Sequence, residues 1–266
     1  MTQERNRPLT ARSVLASALL GEDPPELPVA HLVHLAGLFG INDNRARVAL
    51  SRMAAAGEVT TDGDGRYRLA GHLLERLGRQ TGSRRGETRP WSGRWSLVVA
   101  TVPGGSAEER AARRKRLALA RLAERREGVW LRPDNIDLVP DPAGDPHLEV
   151  FTAAPQGDPV ALAAGLWDLA GWDRRARELE ARLARTEPDG PAQLAPGFEL
   201  SAAVLRHLQA DPLLPDELLP PGWCGISLRR TYDDWDRRYR LLLATWARSA
   251  RSASGPGPIR PGADPS

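Results

Sequence analysis

The sequence predicts a multidomain α+β fold, and three observations support this prediction. Segments with apolar residues at helical spacing fill both ends of the 266-residue chain. Between them, short apolar runs bounded by Gly and Pro are typical of β-strands. Polar stretches separate these regions. We therefore expect domains over residues 1–80, 88–157 and 158–251, followed by a disordered Ser/Gly/Pro-rich tail over 252–266.

The first domain begins with two predicted helices. Residues 11–20 have apolar side chains at helical spacing and stop at Gly21. After a loop that contains prolines, Pro28 suits the first position of a second helix over residues 29–39, which ends at Gly40.

A third helix is predicted over residues 44–53. Asn42 or Asp43 can accept hydrogen bonds from the free amides of its first turn, and Gly57 suits the left-handed residue that ends a helix. Two short strands then bracket Asp-Gly-Asp-Gly in a hairpin over 58–69, because Asp-Gly tolerates the positive φ angles of tight turns. Three helices followed by a hairpin are typical of a winged helix-turn-helix, whose third helix enters the major groove of DNA.

The outer face of the third helix carries three arginines and no carboxylate. At about 100° per residue, Ala46, Ala49, Leu50 and Met53 fall on the opposite, core-facing side. A solvated face normally mixes charges of both signs, and a carboxylate would repel phosphate. The candidate DNA contacts are Asn44, Arg45, Arg47, Val48, Ser51 and Arg52 on the helix and Arg66 and Arg68 on the hairpin.

Two other interpretations of this region stay open. The arginine face can be the solvated side of an ordinary amphipathic helix beside a hairpin of no special purpose. A winged helix also serves protein contacts, so a protein-interaction adaptor without direct DNA binding is the alternative function.

Composition excludes several classes of protein. The formal charge is +3, and all but one of the 37 basic residues are arginines, the exception being Lys115. Cys224 is the single cysteine, which excludes an intramolecular disulfide and a cysteine-based zinc site. His31 and His34 lie one helical turn apart, but no third ligand is suitably spaced. Without a signal sequence or the roughly 20 apolar residues of a membrane span, we expect a cytoplasmic protein with no membrane partner, metal or cofactor.

The second domain is predicted to be a small α+β sandwich. Pro103, Gly104 and Gly105 end its first strand, and Ser106 can cap the helix that follows. The order β-α-β-β-(loop)-β suggests a ferredoxin-like type. Its predicted elements are strands over 96–102, 129–131, 136–139 and 147–152 and a helix over 107–126.

The helix of this domain contains the run Arg113-Arg114-Lys115-Arg116. Such a run can contact nucleic acid or an anionic ligand such as the phosphates of coenzyme A. It can also be a solvated helix face balanced by Glu108, Glu109 and Glu124.

The last domain is predicted to be helical, with helices over residues 159–185, 199–210 and 226–250. The proline-rich segment 211–223 between the last two suits an ordered loop.

Enzyme signatures are missing from the sequence. It has no G-x-S-x-G elbow, no phosphate-cradling glycine loop and no paired histidine–carboxylate motif. Ferredoxin-like nucleases of the CRISPR spacer-acquisition type place a metal-binding acid at the end of the first strand, where this chain has Ala100-Thr101-Val102-Pro103. We therefore expect a protein without catalytic residues.

Four motifs in the correct order resemble the PaaX-like repressors of phenylacetate catabolism. The first is LAGLFGI followed by the arginine helix with ALSRM, over residues 35–53. WSGRWSLVVATVP at 91–103 and GVWLRP at 128–133 form the next two, although Arg125-Arg126-Glu127 replaces the glycine-phenylalanine-glycine often found before GVW. The fourth is DPLLPDELLPPGWCG at 211–225, where Cys224 replaces the usual proline.

This resemblance implies a homodimeric transcriptional repressor with an N-terminal winged helix, a central ferredoxin-like dimerisation domain and a helical C-terminal domain. Its partners would be double-stranded DNA with a pseudo-palindromic operator and an acyl-coenzyme A effector such as phenylacetyl-coenzyme A, which releases the DNA. The ligand-binding residues stay unknown. Tryptophans available for an aromatic acyl group, each also suited to a core, are Trp91, Trp95, Trp130, Trp167 and Trp223.

Overall fold

The computed structural model of the protein describes residues 10–101 and 106–253. It confirms the mixed α+β class, with helices along most of the chain and two small antiparallel sheets. The predicted strand end at Pro103, Gly104 and Gly105 lies outside the described residues, as does the predicted tail from residue 254 onward.

Two compact units make up the chain. The first comprises residues 1–78, 182–202 and 231–266, and the second comprises residues 79–181 and 203–230. The division into three consecutive domains that we expect from the sequence stays a prediction.

Four helices and a three-stranded sheet form the first part of the chain. β3 is the central strand of this sheet, which has the order β1-β3-β2. The elements are α1 (Ala11–Leu20), β1 (Glu26–Pro28), α2 (Val29–Gly37), α3 (Asp43–Ala55), β2 (Val59–Thr61), β3 (Arg66–Leu69) and α4 (Gly71–Arg85). The sequence did not predict β1, because three residues in a proline-bearing loop carry no alternation, and α2 ends two residues before the predicted Phe39.

Capping and burial explain why α3 forms where it does. The Asn42 side chain accepts a hydrogen bond of 2.9 Å from the Arg45 backbone N–H, which satisfies one free amide of the first turn. On the inner side, Ala46, Leu50 and Met53 are at most 1% exposed. The helix therefore presents one apolar face to α1 and α2 and leaves the other in solvent.

The β2–β3 hairpin is closed by the Asp-Gly-rich turn. The Asp62 carboxylate accepts hydrogen bonds from the backbone N–H groups of Asp64 and Arg66, at 3.1 and 2.8 Å. Gly65 has a φ of +77°, a conformation that glycine adopts without steric cost. These contacts fix the register in which Thr60 faces Arg68.

The second unit contains the other sheet, in the order β5-β6-β4-β7. Its elements are β4 (Trp95–Ala100), α5 (Ala107–Leu119), β5 (Ala123–Arg126), β6 (Val129–Pro133) and β7 (Leu148–Ala153), and all neighbouring strands are antiparallel. A capping box of Ser106 and Glu109 starts α5. Val98, Leu117 and Trp130 belong to the core formed where α5 covers the sheet.

Two sequence predictions for this unit are wrong. The helix expected over 107–126 ends at Leu119, and the charged residues 123–126 form β5 instead. Their high helix propensity is overridden because β5 pairs with β6. Residues 136–139 form no strand. Arg89 donates hydrogen bonds to the Ile136 carbonyl and to the Asp137 carboxylate, so the Ile136 carbonyl is bonded to a side chain instead of a neighbouring strand.

Four helices follow: α6 (Pro159–Leu166), α7 (Leu169–Arg185), α8 (Leu194–Gln209) and α9 (Gly225–Ala253). The single helix expected over 159–185 is interrupted because Trp167 is extended and Asp168 accepts a hydrogen bond of 2.8 Å from the Gly171 N–H, which starts α7.

A buried arginine network holds the DPLL segment, Asp211-Pro212-Leu213-Leu214. Arg132 is 0% exposed and donates hydrogen bonds to the Pro212 and Leu213 carbonyls at 3.3 and 3.2 Å. Asn135, which bonds Arg132 at 2.9 Å, also donates to the Leu213 carbonyl. Burial lowers the pKa of Arg132 to about 9, so its guanidinium stays charged at neutral pH.

The Asp211 carboxylate supplies the negative charge of this network. It accepts a hydrogen bond of 2.8 Å from Arg229 and another of 2.9 Å from the Leu213 N–H. Arg121 donates to the Asp211 carbonyl and to the Ser83 hydroxyl. Three arginines thus surround a single buried carboxylate, and most of their donors are satisfied by backbone carbonyls.

Candidate nucleic-acid interface

The structure places all six candidate residues of α3 on one exposed surface. Val48, the apolar member, is 42% exposed. No carboxylate forms an ion pair with Arg45, Arg47 or Arg52 within the described ranges 10–101 and 106–253. Asp43, exposed at the first residue of α3, is a carboxylate close to this surface. The exposed residues are Asn44, Arg45, Arg47, Val48, Ser51 and Arg52.

The two hairpin arginines have a different environment from those of α3. The Arg66 and Arg68 guanidinium groups both bind the Glu26 carboxylate, at 3.1 and 2.5 Å. Glu26 reaches them because β1 pairs with β3 in the register Glu26–Arg68. Hydrogen bonds from Arg68 and Arg66 lower the pKa of Glu26, so this carboxylate is ionised throughout the neutral range.

Glu26 is a residue that the sequence analysis missed. It stands 40 and 42 positions before the arginines it binds, in a segment that we expected to be a loop. The signal for this contact in the sequence is the charge complementarity between Glu26 and the two arginines, which can be recognised only if β1 is known to pair with β3. Arg66 and Arg68 nevertheless stay accessible, since their side chains are 44% and 65% exposed.

The base of the hairpin is fixed to α1 by a second ion pair. Arg12 donates two hydrogen bonds to the Glu58 carboxylate, at 2.8 and 2.5 Å. Glu58 is 7% exposed, and the bonds from Arg12 lower the pKa of its carboxyl group. Bidentate arginine–carboxylate pairs also restrict orientation, so this pair helps to set the position of the hairpin beside α1.

Other candidate sites do not assemble. Among the described residues, no group of three or more His, Cys, Asp or Glu side chains can hold a metal ion. His34 stacks on the Trp246 ring, with a centroid separation of 4.1 Å. Burial raises the pKa of Cys224 to about 12, which keeps its thiol protonated. Of the helices described, none has the length and apolar content to span a bilayer.

The five tryptophans that we considered for an acyl group lie within hydrophobic clusters of the second unit. Trp95 is 1% exposed, and Trp91, Trp167 and Trp223 pack against the cluster that contains it. Trp130 is 4% exposed and belongs to the core between α5 and the sheet. Most of their surface is therefore used for packing.

Two protein-family models match consecutive parts of the chain. The family model described as PaaX-like protein matches residues 10–73, which contain α3 and the hairpin. The model described as the PaaX protein central Cas2-like domain matches residues 88–158. No curated protein matches the sequence.

The solved structure of another protein is similar to this chain over most of both chains. The uncharacterized protein Rv0674 from Mycobacterium tuberculosis is 40% identical, with a TM-score of 0.71. The match covers 89% of this chain and 98% of that one.

Proposed function

Since the chain belongs to the PaaX-like protein family, we propose that it is a transcriptional regulator that binds double-stranded DNA. The family is regulatory rather than catalytic. The observation that carries the proposal is the surface of α3, where three arginines lie in solvent without an ion-pair partner among the described residues. Such guanidinium groups bind guanine edges and phosphates through two parallel hydrogen bonds.

We propose that the N-terminal elements act as a winged helix-turn-helix. α3 enters the major groove, where Arg45, Arg47 and Arg52 contact guanine edges or phosphates. Asn44 and Ser51 are available to bases or phosphates, and Val48 suits contact with a thymine methyl group. The hairpin places Arg66 and Arg68 near the backbone or the minor groove.

We further propose a homodimer formed through the central domain. The strand order β5-β6-β4-β7, with α5 between β4 and β5, supports a ferredoxin-like arrangement. β7 is an edge strand, and its Val150 and Phe151 are 39% and 47% exposed, which favours pairing with a second copy. A twofold dimer would select a pseudo-palindromic operator with half-sites about one or more helical turns apart.

An acyl-coenzyme A, such as phenylacetyl-coenzyme A, is the proposed effector that releases the DNA. Release requires that the effector bind the DNA-free conformation more tightly, because a ligand of equal affinity for both states shifts no equilibrium. The regulator would then act as a repressor of a catabolic operon.

A gel shift with the DNA upstream of the protein's own gene tests this function. We expect a specific complex that survives competition by unrelated DNA and dissociates when phenylacetyl-coenzyme A is added. Genome-wide footprinting with the purified protein would then identify the regulated genes. No specific complex on any genomic fragment would refute the regulator and favour the protein-interaction adaptor. A complex that phenylacetyl-coenzyme A leaves intact would refute that effector alone.

Glu26 gives a prediction about the hairpin arginines. Glu26→Gln removes the carboxylate that Arg66 and Arg68 bind, so both guanidinium groups become free for phosphate. We expect DNA affinity to rise by about three- to tenfold and the slope of log affinity against log salt to steepen by about one to two. Fluorescence anisotropy at several salt concentrations measures both quantities.

The matched control is Glu199→Gln, which removes one exposed carboxylate from α8 and thus changes the net charge equally. We expect it to alter DNA affinity less than twofold. Weaker binding by Glu26→Gln would contradict the prediction and show that Glu26 holds the arginines in their DNA-contacting positions.

A further inference from the structure

The first unit combines the N-terminal helices with two segments from much later in the chain. One segment contains the first part of α8, and the other forms most of α9. Three side chains of these segments contact the helices around α3: Phe198 of α8, and Arg240 and Trp246 of α9. Arg240 stands 219 positions after the residue that it binds. The end of the chain thus forms part of the surroundings of α3.

Arg240 holds the end of α1. Its guanidinium donates a hydrogen bond to the carbonyl of Gly21, the residue that caps α1. The last carbonyls of a helix have no partner within the helix and carry a partial negative charge, so a cation stabilises this end. The same guanidinium donates from Nε to the Asp236 carboxylate at 2.8 Å, and Asp236 is 3% exposed. A buried carboxylate one helical turn earlier therefore directs Arg240 towards α1.

Two aromatic contacts hold α2 and the turn that follows it. The Trp246 ring stacks on His34 of α2, with 4.1 Å between the ring centroids and 19° between the ring planes. Phe198 packs against Phe39 in a tilted arrangement, with 5.0 Å between the centroids. Phe39 lies in the turn between α2 and the Asn42 cap of α3. Ring pairs at these separations attract each other beyond the contribution of their buried area, so both contacts oppose movement of α2 relative to α8 and α9.

The part of α8 and α9 that lies in the first unit is a firm support for these contacts. The Tyr239 hydroxyl donates to the Leu194 carbonyl at 2.6 Å, and the Tyr239 ring packs so closely on Gly197 that a Cβ would not fit there. Trp235 stacks on Tyr239 with 4.9 Å between the centroids, and its indole N–H donates to the Thr186 carbonyl at 2.6 Å. Close packing and satisfied polar groups make this support resistant to displacement.

We propose that α8 and α9 position the recognition helix α3, with Phe198, Arg240 and Trp246 as the positioning residues. The buried face of α3 packs on α1 and α2, so contacts that fix those two helices also fix the direction of α3. This inference rests on the proposed function, because it gives the end of the chain a part in DNA binding. The affinity of a protein is reduced by the fraction of molecules in the binding-competent conformation. Holding α3 in one orientation keeps that fraction close to one.

The double variant Arg240→Ala/Trp246→Ala of the full-length protein tests this role. We expect it to bind operator DNA at least about fivefold more weakly at every salt concentration, because only about a fifth of the molecules would present α3 correctly. The slope of log affinity against log salt should stay that of wild type, since neither side chain binds phosphate. Arg240→Lys/Trp246→Phe keeps a cation and an aromatic ring and should recover most of the loss. Fluorescence anisotropy measures the affinity and the slope.

Hydrogen exchange in the absence of DNA measures the same contacts independently of DNA binding. In Arg240→Ala/Trp246→Ala, we expect the amides near Gly21, in α2 and in the turn before α3 to exchange at least about threefold faster. The amides of β4 and β6 in the second unit should exchange as in wild type. Circular dichroism melts verify that each variant is folded. If the double variant does not fold, the milder single variant Trp246→Leu is measured in both experiments with the same expected directions.

The matched control is Arg237→Ala/Leu241→Ala. It removes one arginine and one large apolar side chain from the same helix, at positions where the side chain of Arg237 is 72% exposed and Leu241 is 66% exposed. We expect less than a twofold change in DNA affinity and no change in hydrogen exchange around α1 and α2.

The two measurements separate the inference from the proposed function. Unchanged exchange in the alanine variant, or an equal effect of the control, overturns the inference. Faster exchange with the DNA affinity of wild type also overturns it, because the contacts would then stabilise α1 and α2 without positioning α3. A salt slope reduced by about one would mean that Arg240 binds phosphate, which contradicts a positioning role. If the wild type binds no DNA while exchange rises as expected, the proposed function fails and the support of α1 and α2 by α8 and α9 stands.

Discussion

Replacing Arg45, Arg47 and Arg52 together with alanine is expected to weaken binding to operator DNA by at least about a hundredfold. An arginine contact to a guanine edge or phosphate contributes about 1–3 kcal/mol, and 1.4 kcal/mol corresponds to a factor of ten. All three side chains lie in solvent on α3, whereas Ala46, Leu50 and Met53 hold the helix in the core. The fold should therefore survive the change, and the loss should appear in fluorescence anisotropy or gel shifts.

Variants that replace one arginine at a time distinguish the roles of Arg45, Arg47 and Arg52. A residue that reads guanine should lose affinity for the operator but little for unrelated DNA, and one that binds phosphate should weaken both and reduce the salt slope by about one. The control replaces three exposed arginines of the second unit, Arg94, Arg174 and Arg206, with alanine, and so removes the same number of positive charges. If the α3 variant and wild type bind the operator equally well, α3 is not the recognition helix.

The second large effect is expected in stability. Asp211→Ala should lower the free energy of unfolding by about 3–5 kcal/mol, because removing one partner of a buried ion pair leaves the other charge uncompensated. Asp211 is 2% exposed, and the Arg229 side chain that it binds is 11% exposed. The Leu213 N–H loses its acceptor as well. Urea denaturation followed by circular dichroism measures the change.

Two further variants make this stability prediction specific. Asp234→Ala breaks an exposed pair with Arg237, whose side chains are 61% and 72% exposed, and should cost less than about 1 kcal/mol. Asp211→Asn keeps an acceptor for the Leu213 N–H. Its loss in the free energy of unfolding should therefore lie between the losses for Asp211→Ala and Asp234→Ala. A loss below about 1 kcal/mol for Asp211→Ala would show that the network does not stabilise the second unit.

Local signals explain what could be predicted from the sequence. The α3 boundaries follow from the Asn42 cap and Gly57, which has a φ of +68°, and the hairpin follows from the Asp-Gly turn at Asp62–Gly65. Because these signals act within a few residues, the exposed face of α3 could be identified side chain by side chain. Whether that face binds DNA stays a prediction.

Contacts between distant positions explain the rest. Glu26 binds arginines some 40 residues away, and Arg132 donates hydrogen bonds to carbonyls about 80 residues away. Helix and strand periodicity relates only residues that are close in sequence, so it cannot predict such contacts. Residues 123–126 have the composition of a helix and become β5 only because β6 is present to pair with them.

The burial of Cys224 has a practical consequence for spectroscopy. It is the single cysteine of the chain, it is 3% exposed, and its thiol stays protonated at neutral pH because burial raises its pKa. Thiol-reactive dyes and spin labels will therefore attach almost only to a cysteine introduced elsewhere. Ser51→Cys on α3 and Thr60→Cys on the hairpin, both at exposed positions, would give singly labelled proteins without any prior removal of native thiols.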